Sequence, residues 1–176
     1  LRVVLEKMVP EKFRRWRLGE TDSELMFQFM LSRLATKIDL EDPMPNIKVV
    51  METLAEASRE LVQVIGPLSD REVGTPSENY LTFVLTNGRM MVAMQGGLTL
   101  HWSTHKKSCP ERTTCASLMP LCEAAANDGD KINHLIISSE PLQGQNVWVK
   151  MKVGEMVAVD EHMQLHRLKL SLPVSE

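Results

Sequence analysis

The sequence is short of several things, and each shortage excludes something. Only three of its 176 residues are cysteine (Cys109, Cys115 and Cys122), and none stands in a C-x-x-C pair. Three thiols cannot all pair with one another, so a disulfide scaffold is excluded and a reducing compartment, the cytoplasm, is the expected home. Rings are scarce, with four Phe, three Trp and one Tyr against 12 Met, so the expected core is plastic and poor in aromatics. No run of about eighteen apolar residues occurs, so no membrane-spanning helix and no membrane partner are expected. Positive charge is not in excess: 20 Lys and Arg stand against 23 Asp and Glu, a net charge of −3. That argues against nucleic acid as a partner bound by bulk charge. P-loop, G-x-G-x-x-G and G-x-S-x-G patterns are absent, and Gly96-Gly97 is a lone pair that reads as a turn. Neither an internal repeat nor a low-complexity tract is present. What remains, 43% hydrophobic and 24% charged residues, is the composition of one soluble globular domain over residues 1–176.

The chain opens at Leu1 rather than Met, and its first residues read as the middle of a helix without a signal or transit pattern. An upstream segment is therefore expected. Residues 1–17 fit a helix through Val4, Leu5, Met8, Phe13 and Trp16, with Pro10 as a kink or restart and Gly19 as the stop. This segment carries six basic residues (Arg2, Lys7, Lys12, Arg14, Arg15 and Arg17) against Glu6 and Glu11. It reads either as a solvated helix face or as an anion-binding surface.

Thr21-Asp22-Ser23-Glu24 opens a second helix with the stripe Met26, Phe27, Met30, Leu31 and Leu34. A break at Glu41 to Pro45 follows. A third helix from Ile47 to Ile65 carries the stripe Val50, Leu54, Ala57, Leu61 and Ile65, and ends at Gly66-Pro67.

After a polar loop from Ser69 to Glu78 the period becomes strand-like. Tyr80 to Thr86 and Arg89 to Gln95 flank Asn87-Gly88, which predicts a hairpin with a two-residue turn. Leu98 to Ser103, Lys131 to Ser138, Val147 to Val153, Met156 to Val159 and Gln164 to Leu170 continue an antiparallel series. The stretch from Lys106 to Asp130 is irregular, with some helix expected over Ala116 to Ala126. Helices first and strands afterwards predict an α+β fold. Phe83-Val84-Leu85 and Leu135-Ile136-Ile137 read as strands apolar on both faces, which requires cover on each side of a sheet.

The cysteines, with His101 and His105, raise the question of zinc. Four residues along a strand span roughly 13 Å, too far for both histidines to reach one ion, so no metal is expected. No other cofactor is implied. A Cys–His pair such as Cys115 with His134 would be needed for thiol hydrolase chemistry. His134, alternating with Ile132 and Ile136, reads instead as a satisfied core histidine.

Thr21 followed by Glu24 is a capping box, and Asp22 then falls at the first helical position. There its oxygens are free, so a purely structural role and the holding of a substrate ammonium group both fit. Gly19-Glu20-Thr21-Asp22-Ser23-Glu24 before Leu25-Met26-Phe27 resembles the G-T-T-D-S-E-x-x-F segment of class-II glutamine amidotransferases. Glu20 stands where that segment usually has Thr. The nearest branch is that of YafJ-like proteins and enzymes acting on γ-glutamyl compounds in thiol metabolism. Asn79-Tyr80-Leu81-Thr82-Phe83-Val84-Leu85-Thr86-Asn87-Gly88-Arg89 resembles the hairpin of that branch. Ser138-Ser139-Glu140-Pro141-Leu142 followed by Trp148 resembles its S-E-P-L…W segment.

The resemblance implies an N-terminal-nucleophile fold, an αββα four-layer domain of which this chain is the later part. It implies a nucleophilic cysteine at the start of the mature protein, which no residue of this sequence matches, and the missing N-terminal part as a partner. It implies glutamine or a γ-glutamyl small molecule as substrate, with Asp22 binding its α-amino group. A non-catalytic structural or scaffold subunit built on the same fold, engaging a protein partner or a second copy of itself, is the alternative.

Overall fold

The computed structural model describes residues 2–71, 75 and 77–175. Leu1, at the expected start of the first helix, and residues 72–74 and 76 of the expected polar loop lie outside the described residues. The chain forms two compact units, Leu1–Pro67 and Leu68–Glu176.

The first unit is helical. The long first helix expected from the sequence is two short ones, α1 (Arg2–Met8) and α2 (Glu11–Arg14), because Pro10 lacks an amide to continue α1 and restarts the helix with φ −59°. Gly19 is not its stop: α2 ends at Arg14, and the capping residue Arg15 has ordinary helical dihedrals. Next comes α3 (Asp22–Leu34), whose buried residues Leu25, Gln28, Phe29 and Ser32 recur at helical spacing. Met30 and Leu34 of the expected stripe are buried and Met26 and Leu31 half-buried, so the buried face overlaps the expected one and is rotated toward Leu25 and Phe29. Phe27 is 45% exposed, and two small or polar residues, Gln28 and Ser32, are buried instead. Burial is decided by which face meets α1, α2 and α4, all of which contact α3.

The last helix of the unit, α4 (Ile47–Ile65), matches its expected limits. The Asn46 side chain caps it by accepting from Lys48 N and Val49 N, and Gly66 ends it at φ 91°. Val50, Leu54, Ala57 and Leu61 are all buried as expected. Arg33 of α3 donates to Glu60 of α4 at 2.7 Å and lies 4.5 Å from the Phe29 ring centre. Both charges are partly exposed, so the ion pair itself contributes about 1 kcal/mol at most and the packing carries the helix pair.

Among the described residues, the second unit holds seven antiparallel strands in two sheets. The four-stranded sheet has the order β1 (Phe83–Thr86), β2 (Met91–Met94), β6 (Glu155–Val159), β7 (Leu165–Lys169). The three-stranded sheet has the order β4 (Ile136–Ser138), β3 (His101–Ser103), β5 (Val149–Lys150). They share one core. Ala93, Val157, Val159 and Leu165 from the first sheet cluster with Trp102 from the second and with Leu100, Ile132 and Met151.

The strands buried on both faces are β2 and β6, whose alternate residues Val92, Met94, Met156 and Ala158 are buried as well. Phe83-Val84-Leu85 does not behave this way. β1 is an edge strand, and Val84 is 47% exposed. Ile136 and Ile137 of β4, also an edge, are half-buried. The expected helix over Ala116 to Ala126 reduces to one 3₁₀ turn at Pro120–Cys122.

The hairpin at Asn87-Gly88 exists, but its turn is wider than expected. Thr86 pairs with Met91, which leaves four residues, Asn87 to Met90, in the connection. Only Gly88 has positive φ (84°). The Asn87 side chain accepts from Arg89 N and Met90 N, so it builds the turn through its carbonyl rather than by adopting left-handed backbone.

Among the described residues of this unit, three carboxyls, Glu78, Glu123 and Asp160, are held below their ordinary range. Glu78 accepts from the Tyr80 hydroxyl at 2.6 Å and from Thr75 N at 2.9 Å, and these bonds lower it from 4.5 to about 2. Burial raises Asp160, but the His166 ring at 3.0 Å and the amides of Gln164 and His162 outweigh it and lower the carboxyl. A depressed native pKa adds stability above the unfolded value and loses it as pH falls. The urea midpoint should therefore drop as pH is lowered from 4.5 toward about 2, and Glu78→Gln should flatten that drop. Fluorescence-detected unfolding at a series of pH values measures both.

The lone glycine pair also has a steric role. A Cβ on Gly96 would sit 2.4 Å from the Leu81 carbonyl, and Leu81 N donates to Gly96 O at 2.7 Å. Gly96→Ala should cost about 2–3 kcal/mol in urea unfolding, at the upper end of overpacking costs, because the obstructing atoms are backbone.

Candidate functional site

The segment that the sequence singled out, Gly19 to Glu24, forms the entry to α3. Thr21 is extended (φ −82°, ψ 147°), and its hydroxyl accepts from Glu24 N at 3.3 Å, the forward half of a capping box. The reverse half differs from expectation. The Glu24 carboxylate bonds Leu18 N and Gly19 N, both at 2.8 Å. A carboxylate that accepts two amides in this way pins the preceding loop against the first turn of the helix.

A second clamp holds the same loop from the other side. Glu6 of α1 accepts from Arg17 at 2.8 Å and from Arg2 at 3.3 Å, while Arg2 also donates to Glu20 O at 3.0 Å. The Arg17 bond first and the Arg2 bond second lower the Glu6 carboxyl below its usual range. The basic N-terminal segment is thereby largely occupied with itself. Arg14 pairs with Glu11, Lys12 lies over Phe13 and Arg15 over Trp16.

Asp22 sits at the first position of α3, where its negative charge is favoured by the helix dipole. It is exposed, and its carboxylate makes no hydrogen bond or ion pair with any described residue. A cavity of about 380 Å³ in this unit is lined by Phe13, Arg15, Trp16, Ile38 and Asp39 among others, and Asp22 lies outside that lining.

The other sequence candidates fall in the second unit. Ser139-Glu140-Pro141-Leu142 follows β4 and is exposed, and Trp148 Nε1 donates to Leu142 O at 3.2 Å, closing that loop on itself. The three cysteines are free; Cys109 and Cys122 are buried and Cys115 is half-buried. Cys122 Sγ accepts from Asn133 Nδ2 at 3.0 Å, and no hydrogen bond joins Cys115 to His134 among the described residues. Among those residues, no three His, Cys, Asp or Glu side chains gather to hold a metal ion. No helix among them is long and apolar enough to cross a membrane.

His134 is not the satisfied core histidine expected from its alternation. Its Nε2 is buried without a partner among the described residues, and burial, then Lys106 and His105, lower its pKa. Sequence reading passed over the Asp160–His166 pair and the Glu78–Tyr80 pair entirely. Neither has a motif, and only strand register and loop closure bring the partners together.

A family model described as class-II glutamine amidotransferases matches residues 5–169. The chain belongs to this family. Its fold is similar to that of a solved glutamine aminotransferase class-II domain protein from Silicibacter pomeroyi, with a TM-score of 0.55 at 16% identity. The likeness covers 99% of this chain and 62% of that one, so the chain spans less than two thirds of the length of that structure. At that identity the likeness is one of fold, and it agrees with the α+β arrangement of helices and antiparallel sheets described above. No curated protein matches the chain significantly.

For a class-II amidotransferase chain, the entry to α3 is then the segment of interest, and its order depends on capping. Thr21→Ala should destabilise the helical unit by about 1 kcal/mol, the usual cost of losing an N-cap. Urea unfolding followed by circular dichroism measures it, and Thr21→Ser should restore the loss.

Proposed function

We propose that this chain is the later part of a class-II glutamine amidotransferase of the YafJ-like branch, and that the intact protein hydrolyses the γ-amide of glutamine or a γ-glutamyl peptide bond. The two units belong in this reading to one amidotransferase domain, completed by an upstream part that carries the cysteine nucleophile. The observation that carries the proposal is Asp22. Within a family-matched segment, one carboxylate stands at a helix start with its loop clamped by Glu24 and Glu6 and with no described partner of its own. An unpaired carboxylate on a held stretch of backbone suits an ammonium group, from which it accepts charge-assisted hydrogen bonds.

The chemistry assigned to the intact protein follows from the residue types. The cysteine sulfur attacks the γ-carbonyl carbon, the carbonyl π electrons move to oxygen, and the tetrahedral intermediate collapses with loss of ammonia or of the amine of a γ-glutamyl peptide. Water then opens the γ-glutamyl thioester to give glutamate and the free thiol. Asp22 takes no part in bond making. By holding the α-ammonium it places the γ-carbonyl, which costs an unbound substrate its orientational freedom. The free cysteines and net acidic charge fit a cytoplasmic protein that engages neither nucleic acid nor membrane.

In the intact protein, Asp22→Ala should raise KM for glutamine by about 10- to 100-fold, the worth of a hydrogen bond between charged groups. Asp22→Asn should recover only part of the loss, since shape is kept and charge is not. Steady-state ammonia release measures both, and an unchanged KM removes Asp22 from the substrate site. An intact protein that binds glutamine yet releases no ammonia would instead be the non-catalytic relative of the fold.

A further inference from the structure

The second unit contains a cavity of about 530 Å³ that the amidotransferase reading does not use. Its wall includes Lys150 from β5, Lys152 from the β5–β6 turn and Lys169 from the end of β7, together with Gln95, Thr99 and Asp70. Lys152 and Lys169 thus stand with Asp70 in one cavity wall. Lys152 and Lys169 form no salt bridge or side-chain hydrogen bond with any described residue, although Glu155 lies opposite Lys169 in the strand register. The Glu155 carboxylate is engaged by Lys152 N at 3.0 Å. Lys152 and Lys169, two like charges at one cavity, repel each other, and an anion in the cavity relieves that repulsion.

Gln95 adds a neutral donor to the same wall. It is only 3% exposed, yet it lines the cavity. Its Oε1 is fixed by Gly97 N at 3.1 Å, which settles the orientation of the amide. Its Nε2 therefore remains as a donor with no acceptor among the described residues. The backbone around it is rigidly set: Gln95 N donates to Glu155 O, Gly154 N donates to Gln95 O, and a Cβ on Gly97 would meet Ser69 O at 2.7 Å. The Thr99 hydroxyl, half-buried in the same wall, also has no described partner. Both groups open onto the cavity, so water or a ligand oxygen there can accept from them.

We propose that this cavity binds a small molecule bearing two or more anionic groups, of the phosphate or carboxylate class. The ammonium groups of Lys152 and Lys169 neutralise it, and Gln95 Nε2 donates to one of its oxygens. Lysine serves such ligands as a flexible point charge, which suits an open cavity of this size better than a planar fork. The volume falls within the usual range for small-molecule sites. Neither the charges nor the donor depends on the assignment of Asp22, so this site and the glutamine site stand or fall separately.

Calorimetric titration of the intact protein with pyrophosphate, and separately with citrate, tests the proposal. Saturable binding of at least one of the two at low ionic strength is expected, weakening as salt is added. Lys152→Gln and Lys169→Gln should each weaken it about tenfold, the effect of removing one charged hydrogen bond. Gln95→Glu keeps the acceptor for Gly97 N but replaces the donor with a negative charge, and should weaken binding at least as much. Lys48→Gln on the exposed side of α4 should leave it unchanged. Binding of pyrophosphate alone assigns a phosphorylated ligand, and binding of citrate alone a polycarboxylate. The proposal is overturned if neither anion binds saturably, or if both lysine variants bind as the parent does. Both lysines are exposed, so their replacement tests the cavity even if Gln95→Glu fails to fold.

Discussion

The Glu24 carboxylate, turned back to accept the amides of Leu18 and Gly19, is the contact on which the candidate site depends. Without it, the chain before α3 would carry two exposed donors and no fixed path into the helix. With it, and with Thr21 receiving Glu24 N, the first turn is defined on both sides and Asp22 is left over. A capping box in its usual form would also leave Asp22 free. The reversed reach of Glu24 goes further, because it ties the loop to the helix, and Arg2 and Arg17 then tie α1 to the same loop through Glu6. Two of the six positive charges of the N-terminal segment, which in sequence could serve an anion, are used in holding that loop.

The second unit is organised by a different constraint. Two sheets share one core, so the middle strands β2 and β6 must be apolar on both faces, and the polar and charged residues are driven to edges, turns and strand ends. Lys150 and Lys152, at the end of β5 and in the turn after it, meet Lys169 because that turn and the end of β7 both lie beside the Gln95–Thr99 connection. Gly96 and Gly97 make that connection possible, the first by its close approach to Leu81 and the second by its backbone at φ 111°. Charge that is scattered along the sequence becomes concentrated by topology.

The sequence alone was most informative where structure is local. Helix α4 was legible to the residue, since its stripe, its Gly66-Pro67 stop and its length all agree and need no partner to be seen. The Thr21 cap and the position of Asp22 were legible for the same reason: capping couples residues three apart. The motif at Asp22, with two collinear companions, also led to the family that the comparison shows.

Reading failed where a choice between faces had to be made. The stripe of α3 was rotated because Phe27 and Phe29 are equally apolar in sequence, and only contacts with neighbouring helices bury one and expose the other. Phe83-Val84-Leu85 was placed inside a sheet because strand composition does not reveal an edge. Asn87-Gly88 gave the hairpin but not its turn width, since the register is set by Thr86 meeting Met91. Composition and short-range spacing therefore determined the class of fold, the limits of α4, the Thr21 cap and the place of Asp22, all of which depend on interactions within a few residues. Tertiary structure alone decided which faces are buried, that the strands form two sheets rather than one, and that three lysines and a buried amide meet at one cavity, because those outcomes depend on residues that are distant in the chain and adjacent only after it folds.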